Sequence, residues 1–355
     1  MSQKQQRTDY YLSLGQSQTR KTSSMCRWAV CFPLFLLWRQ LHRNHITIFF
    51  AHGVTDSRLP SSWSPLRGQL AADYLDRGLT VLARYYRFLS LDQAIEMLAG
   101  RQPMQPHGMV LTFDDGYRNN FSHALPILRR HGVPAVFYIA TGHIDRREPF
   151  WYDRLDYALQ HLTREQAISF CGQLFLFYPG NEHSLHATFA ALRATIKADH
   201  RDYRETMKDV DTIAQTLENN AGCRLADCFE QDHYTSVMSW DEVRRASREG
   251  ITIGSHTVDH VLLDRLSPPA AMEQLTGSKQ RIETQTGMEC RHLCYPNGNW
   301  NESVANLTRG CGYQSAVTIQ HGFSTAGESL FSLQRMSFLD TPDTNALLFR
   351  ASGLR

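Results

Sequence analysis

Four apolar, β-branched or aromatic runs along the chain each stop at polar residues beside a glycine or a turn. They read "ITIFFAHG", ending at His52; "MVLTFDDG", ending at Asp114 and Asp115; "ITIGSHTVDH", ending at His256 and His260; and "HLCYPNG", closing with Tyr295 to Gly298. Short apolar runs bounded by turn signals predict buried strands. Helical patterns lie between them. Ser90 is placed to cap "SLDQAIEMLAG", and Ser239 with Glu242 gives "SWDEVRRASREG" the spacing of a capping box. After the acidic pair, Phe121, Leu125 and Leu128 recur at helical spacing in "YRNNFSHALPILRRHG", so an Asp could simply cap that helix. Strands alternating with helices predict an α/β fold with a parallel sheet. The ends of such strands meet on one face, where α/β enzymes keep their sites.

Composition narrows this picture little. A chain of 355 residues, 42% hydrophobic, can build one α/β barrel or two ordinary domains. Its formal charge of +2, from 37 basic and 35 acidic residues, gives no reason to expect a nucleic-acid partner. The eight cysteines lack CxxC spacing and read as reduced thiols.

The N-terminal segment, residues 1–44, follows another pattern. The apolar run Trp28 to Trp38 is too short to span a bilayer and contains Pro33. A signal peptide would have an unusually long polar start and no small-residue cleavage site. Basic flanks at Arg39, His42 and Arg43 fit an interfacial helix, so residues 27–43 predict peripheral membrane contact. A helix packed on its own domain is the competing expectation. The location predicted is cytoplasmic or membrane-associated, with secretion an alternative.

The candidate chemistry lies at the strand ends. Asp115, His256 and His260 supply one hard oxygen and two imidazole nitrogens, a ligand set for Zn²⁺, with Co²⁺, Ni²⁺ or Mn²⁺ as alternatives. Two His at i and i+4 could face one point from a helical turn, although such pairs also occur as plain surface residues. Neighbouring acids on an extended strand point in different directions. One can therefore bind a metal while the other accepts a proton from the attacking water, which implies acyl-transfer hydrolysis.

Thr112-Phe113-Asp114-Asp115-Gly116, together with Ser255-His256-Thr257-Val258-Asp259-His260, resembles the first two motifs of the polysaccharide deacetylases, the fourth carbohydrate esterase family. The resemblance covers roughly residues 45–340. It implies a distorted (β/α) barrel with fewer than eight strands and metal-dependent removal of acetyl groups, usually from N-acetylated sugars. By motif position Asp114 is then the base, and Asp115, His256 and His260 are the ligands. An O-acetyl esterase with the same machinery and a catalytically silent sugar-binding relative are the alternatives.

Elsewhere the chain departs from that pattern. Where many members have Arg-Pro-Pro-Tyr-Gly, it has Cys294-Tyr295-Pro296-Asn297-Gly298, losing the Arg that usually holds the base. Arg291 would point to the opposite strand face from position 294. Arg335, in "FSLQRMSFLD", lies in the apparent last strand, which a closing barrel sets beside the first; an ordinary surface Arg is the competing reading. The backbone N–H of Tyr295 is the expected oxyanion donor. No C-terminal His matches the family's usual general acid. "FFAHGV" resembles the opening segment of the exopolysaccharide-modifying branch, which gives that role to His52, with a core His as the other reading. Residues 145–235 exceed a single βα unit and predict a helical insertion, either an inert addition or a cap on the sugar site helped by Trp151 and Tyr152. Residues 341–355 read as a C-terminal tail.

Overall fold

In the computed structural model, which describes residues 32–56, 58, 61, 63–338 and 343–354, all four apolar runs are strands of one parallel sheet. Its strands are β1 (Thr47–Ala51), β2 (Arg87–Phe88), β3 (Gly108–Phe113), β4 (Ala135–Ile139), β5 (Thr252–Ser255), β6 (His292–Cys294), β7 (Ser315–Val317) and β8 (Met336–Ser337). The order is β7-β6-β5-β4-β3-β1-β8, with the short β2 pairing the start of β3 off this path. A parallel bridge between Val317 and Leu333, just before β8, joins the two ends of the row. The result is a curled seven-strand ring, a distorted (β/α) barrel with fewer than eight strands. Every residue of β3 is buried, as expected for a parallel strand covered on both faces. Its one polar side chain, Thr112, donates to the Phe49 carbonyl at 2.9 Å.

The predicted cap at Ser90 and the predicted capping box at Ser239 both form, and Ser90 proves to be a capping box as well. Ser90 and Gln93 cap Leu91–Leu98, and Ser239 and Glu242 cap Trp240–Arg248. The acidic pair caps nothing. Asp115 and Gly116 take left-handed backbone angles, φ 74° and 75°, and the chain then enters a π turn, Asn120–Ala124, before the helix Leu125–His131.

The insertion has its own apolar cluster, built around Leu155, Ile168, Phe177, Leu192 and Leu217. It is helical, as predicted: two of its helices are Trp151–Gln160 and Glu182–Ala198, the second capped by Asn181. A third helix, Tyr203–Ala221, packs against the first. Between the first two lies an antiparallel hairpin, Gln166–Phe170 with Gln173–Phe177, turning at Cys171 and Gly172 with φ of 48° and 72°. Two adjacent positive φ values are the signature of a tight hairpin turn.

Of the N-terminal segment, residues 27–31 lie outside the described residues. A helix covers 32–41, with Phe35 buried against Tyr85 and Phe349. Its other side is open: Leu34, Leu37 and Leu41 are 56%, 59% and 64% exposed. Among the described residues no helix is long and apolar enough to cross a membrane. Residues 344–351, in the predicted tail, form a helix that packs against Ala72–Leu82. The six described cysteines are free.

Candidate active site

Because the strands run parallel, their C-terminal ends deliver side chains to one rim. β1 ends just before His52, β3 just before Asp114, β5 just before His256, and β6 just before Tyr295. These residues, with Asp115 and His260, line a single cavity of about 360 Å³.

One oxygen of Asp115 lies 3.5 Å from His256 Nε2 and 3.4 Å from His260 Nε2. Ligands about 2.0–2.1 Å from an ion at a tetrahedral angle stand roughly 3.3–3.4 Å apart, so both Asp115–His separations fit a divalent-ion site, and all three donor atoms lie within 4.8 Å of one another. The helical turn expected for the His pair is absent. Residues 256–260 form a loop in which Thr257 and His260 take φ of 66° and 54°, and this left-handed path brings the rings together.

Second contacts fix the donors. His256 Nδ1 lies 2.7 Å from the Cys294 carbonyl, which assigns a proton to Nδ1 and leaves Nε2, facing Asp115, as the nitrogen that would ligate an ion. Tyr152 donates from its hydroxyl to the other Asp115 oxygen at 3.0 Å. Burial pushes His260 down to about 4, leaving it neutral and able to ligate. For His256 burial is outweighed by Cys294 and Asp115, which draw its pKa upward, so ion binding would displace a proton from it. Burial opposes ionisation of Asp115, but the two His hydrogen bonds overcome it and hold the carboxyl well below its usual range.

Asp114 has a different partner. Both of its oxygens accept from Arg335, each at 2.8 Å, in a two-pronged pair that is almost fully buried. Arg335 also donates to Thr112 and to the Thr318 carbonyl, and its guanidinium packs on the Phe50 ring. Cys294, standing where the expected Arg is missing, touches Asp114 and Arg335 through its sulfur at 3.5 and 3.1 Å. Arg291 faces away and pairs with Asp92 and Glu289. Burial works against the Asp114 charge, yet Arg335 prevails and keeps the carboxyl below its ordinary value.

Two expectations need correction. The Tyr295 N–H, expected to face the site as an oxyanion donor, donates to the Val317 carbonyl at 3.2 Å, because the β6–β7 ladder extends one residue past the strand. Trp151 lines a separate cavity with Tyr203 and Met207, so only Tyr152 of that aromatic pair reaches the site. His52 does line the pocket. Burial lowers its pKa, opposed by Asp115 and Asp114.

Sequence reasoning missed three cationic side chains lining the same cavity: Arg67, and Arg193 and Lys197 from the insertion. It also missed Asn297, which sits at φ 55° and accepts from Lys197. The helical spacing of Arg193 and Lys197 was readable; which face of the helix met the barrel was not.

Known proteins share this architecture. The structure of the Streptococcus pyogenes deacetylase PplD in complex with acetate superposes with a TM-score of 0.57 at 16% identity, covering 87% of this chain and 99% of that one. IcaB from Ammonifex degensii gives 0.54 at 17%, covering 87% and 97%. YxkH of Bacillus subtilis (strain 168), which carries the name polysaccharide deacetylase, is 20% identical over 251 residues, 71% of this chain; the match spans 58% of YxkH. The polysaccharide deacetylase family model matches residues 101–167 and 181–316, more than half of the sequence, with both acids and both His inside the match. The chain therefore belongs to the polysaccharide deacetylase family.

Proposed function

We propose that this chain is a metal-dependent hydrolase that removes N-acetyl groups from a saccharide, either polymeric or lipid-linked. The observation that carries this reading is the meeting, in one cavity, of the Asp115-His256-His260 donor set with a second carboxylate, Asp114, held by Arg335.

A divalent ion in that donor set would act as a Lewis acid and acidify water. The chain's own groups do the rest. Asp114 accepts a proton from the attacking water; its lowered pKa keeps it ionised across neutral pH, and Arg335 fixes where its oxygens point. As the carbon–nitrogen bond breaks, the departing nitrogen takes a proton from His52, so that acetate and a free amine leave. Tyr152 keeps Asp115 oriented and closes one side of the pocket.

The test is acetate release, with and without a chelator, across matched N-acetylated and O-acetylated saccharides. Chelator-sensitive release from the amides supports the proposal. Release confined to the esters would make the chain an O-acetyl esterase, and sugar binding with no release from either would mark a silent relative.

A further inference from the structure

Three cations line the cavity against two carboxylates, Asp114 and Asp115. Asp114 is already matched by Arg335 outside that lining, and a divalent ion would more than neutralise Asp115. Among the cations, Arg67 has a partner, Asp153, at 3.1 Å. Arg193 and Lys197 differ. They stand four residues apart on Glu182–Ala198, hence on one helix face, and among the described residues neither forms an ion pair. Arg193 lies over the rings of Tyr152 and Phe189, 5.6 and 5.5 Å from their centres, and its Nε is buried with no hydrogen-bond partner. Asp156, a carboxylate on which its charge acts, already accepts from Gln160 and the Leu66 N–H. Among the described residues Lys197 has only the neutral Asn297 side chain as a hydrogen-bond acceptor, and burial beside Arg193 pushes it down to about 8 despite Asp115.

Two like charges held together in a half-buried wall are unfavourable unless an anion joins them. A guanidinium fork and a compact ammonium one turn apart suit a phosphoryl group, which offers several oxygens, better than a planar carboxylate, which one Arg satisfies. We propose that Arg193 and Lys197 form an anion subsite for a phosphoryl group carried by the N-acetylated saccharide next to the acetyl group that is removed. This rests on the deacetylase reading for the identity of the sugar, but not for the charge recognition.

The two parts are separated by measuring binding and turnover independently. Calorimetry on the full chain, treated with chelator so that phosphate cannot ligate an ion, would compare N-acetylglucosamine 1-phosphate with N-acetylglucosamine. The phosphorylated sugar should bind about tenfold or more tighter, and that ratio should fall in Arg193→Gln and in Lys197→Gln, as expected for lost charge-assisted hydrogen bonds. It should also shrink as salt is raised. In the metal-loaded protein the corresponding ratio of kcat/KM should fall in the same variants. Uridine diphosphate N-acetylglucosamine and a short prenyl diphosphate-linked N-acetylglucosamine identify the source of the phosphate: a further gain with either supports the subsite and names the carrier. A wild-type preference absent from the start, or unchanged in both variants, overturns the proposal even if neutral saccharides are deacetylated. Equal losses for neutral and phosphorylated sugars also overturn it, since the two cations would then act on the common acetyl group. A phosphate preference abolished by the variants in a protein that releases no acetate would uphold the subsite and sink the deacetylase reading.

Discussion

At the scale of single residues, the two adjacent acids are separated by their partners: a guanidinium for Asp114, two imidazoles and a phenol for Asp115. Asp114→Asn should therefore lose turnover while keeping its metal, and Asp115→Ala should lose the metal as well; elemental analysis beside acetate release distinguishes them. Equal metal loss in both would merge roles assigned here as distinct. Arg335 is the harder case because it is fully buried. Removing one member of a buried ion pair costs about 3–5 kcal/mol, so Arg335→Ala should lower stability on that scale in denaturant titrations. Arg335→Lys keeps the charge but loses the fork, and it should fold better while remaining slow. His52 has its own signature. As the acid it must be protonated, so the rate on an N-acetyl substrate should fall as pH rises through its pKa, which burial sets below that of a free imidazole. His52→Ala should cost the amide roughly a hundredfold or more, remove that alkaline limb, and spare an activated aryl acetate whose leaving group needs no proton. Equal losses on both substrates would assign His52 to structure.

At the scale of elements, the insertion decides more than its position outside the barrel suggests. Its first helix, Trp151–Gln160, places Tyr152 on Asp115, so the added segment helps to orient a proposed metal ligand. Tyr152→Phe keeps the ring and deletes the donor. Loss of such an outer contact typically costs 10–100-fold in metal affinity, so competition with a chromophoric chelator should show weakening on about that scale; unchanged affinity would reduce Tyr152 to a wall. This element also shows where sequence patterns stop being informative. Strand ends and caps were legible because they depend on local alternation, as with Ser90, Ser239 and the run into Asp114. Arg335 was legible as a candidate only through the topological argument that the last strand lies beside the first. The loop carrying His256 and His260 was misread as a helical turn because left-handed Thr257 and His260 have no glycine to announce them. The hairpin at Cys171-Gly172 went unread for a related reason: only one of its two left-handed positions is glycine. The Tyr295 N–H failed as a donor because a ladder's extent depends on its neighbour's register, which one strand's sequence does not contain.

At the scale of the whole molecule, the barrel separates its chemistry from the exposed apolar face of the N-terminal helix. The cavity opens at the C-terminal ends of the strands, whereas the helix over 32–41 packs beside Tyr85, just before β2, and leads into the start of β1. Leu34, Leu37 and Leu41 recur at three- and four-residue spacing on its open side, with Trp38 beside them and the exposed Arg43 following. An apolar helical stripe with a basic flank suits the surface of an anionic bilayer, where the leucines enter the headgroup boundary and cations meet lipid phosphates. The other face of the same helix buries Phe35, so deleting the helix would expose Tyr85 and Phe349 and confound folding with binding. Substituting Leu34, Leu37 and Leu41 together by Ser alters only the exposed side. Co-sedimentation with vesicles containing phosphatidylglycerol should show the wild type bound and the triple variant largely free. Because the cavity lies at the opposite ends of the strands, acetate release from soluble oligosaccharides should match between the two proteins. Equal sedimentation would remove the membrane reading and leave the stripe without a partner. A folded triple variant that bound no vesicles and also lost activity on soluble substrate would show that this face communicates with the site, against the separation that the strand directions imply.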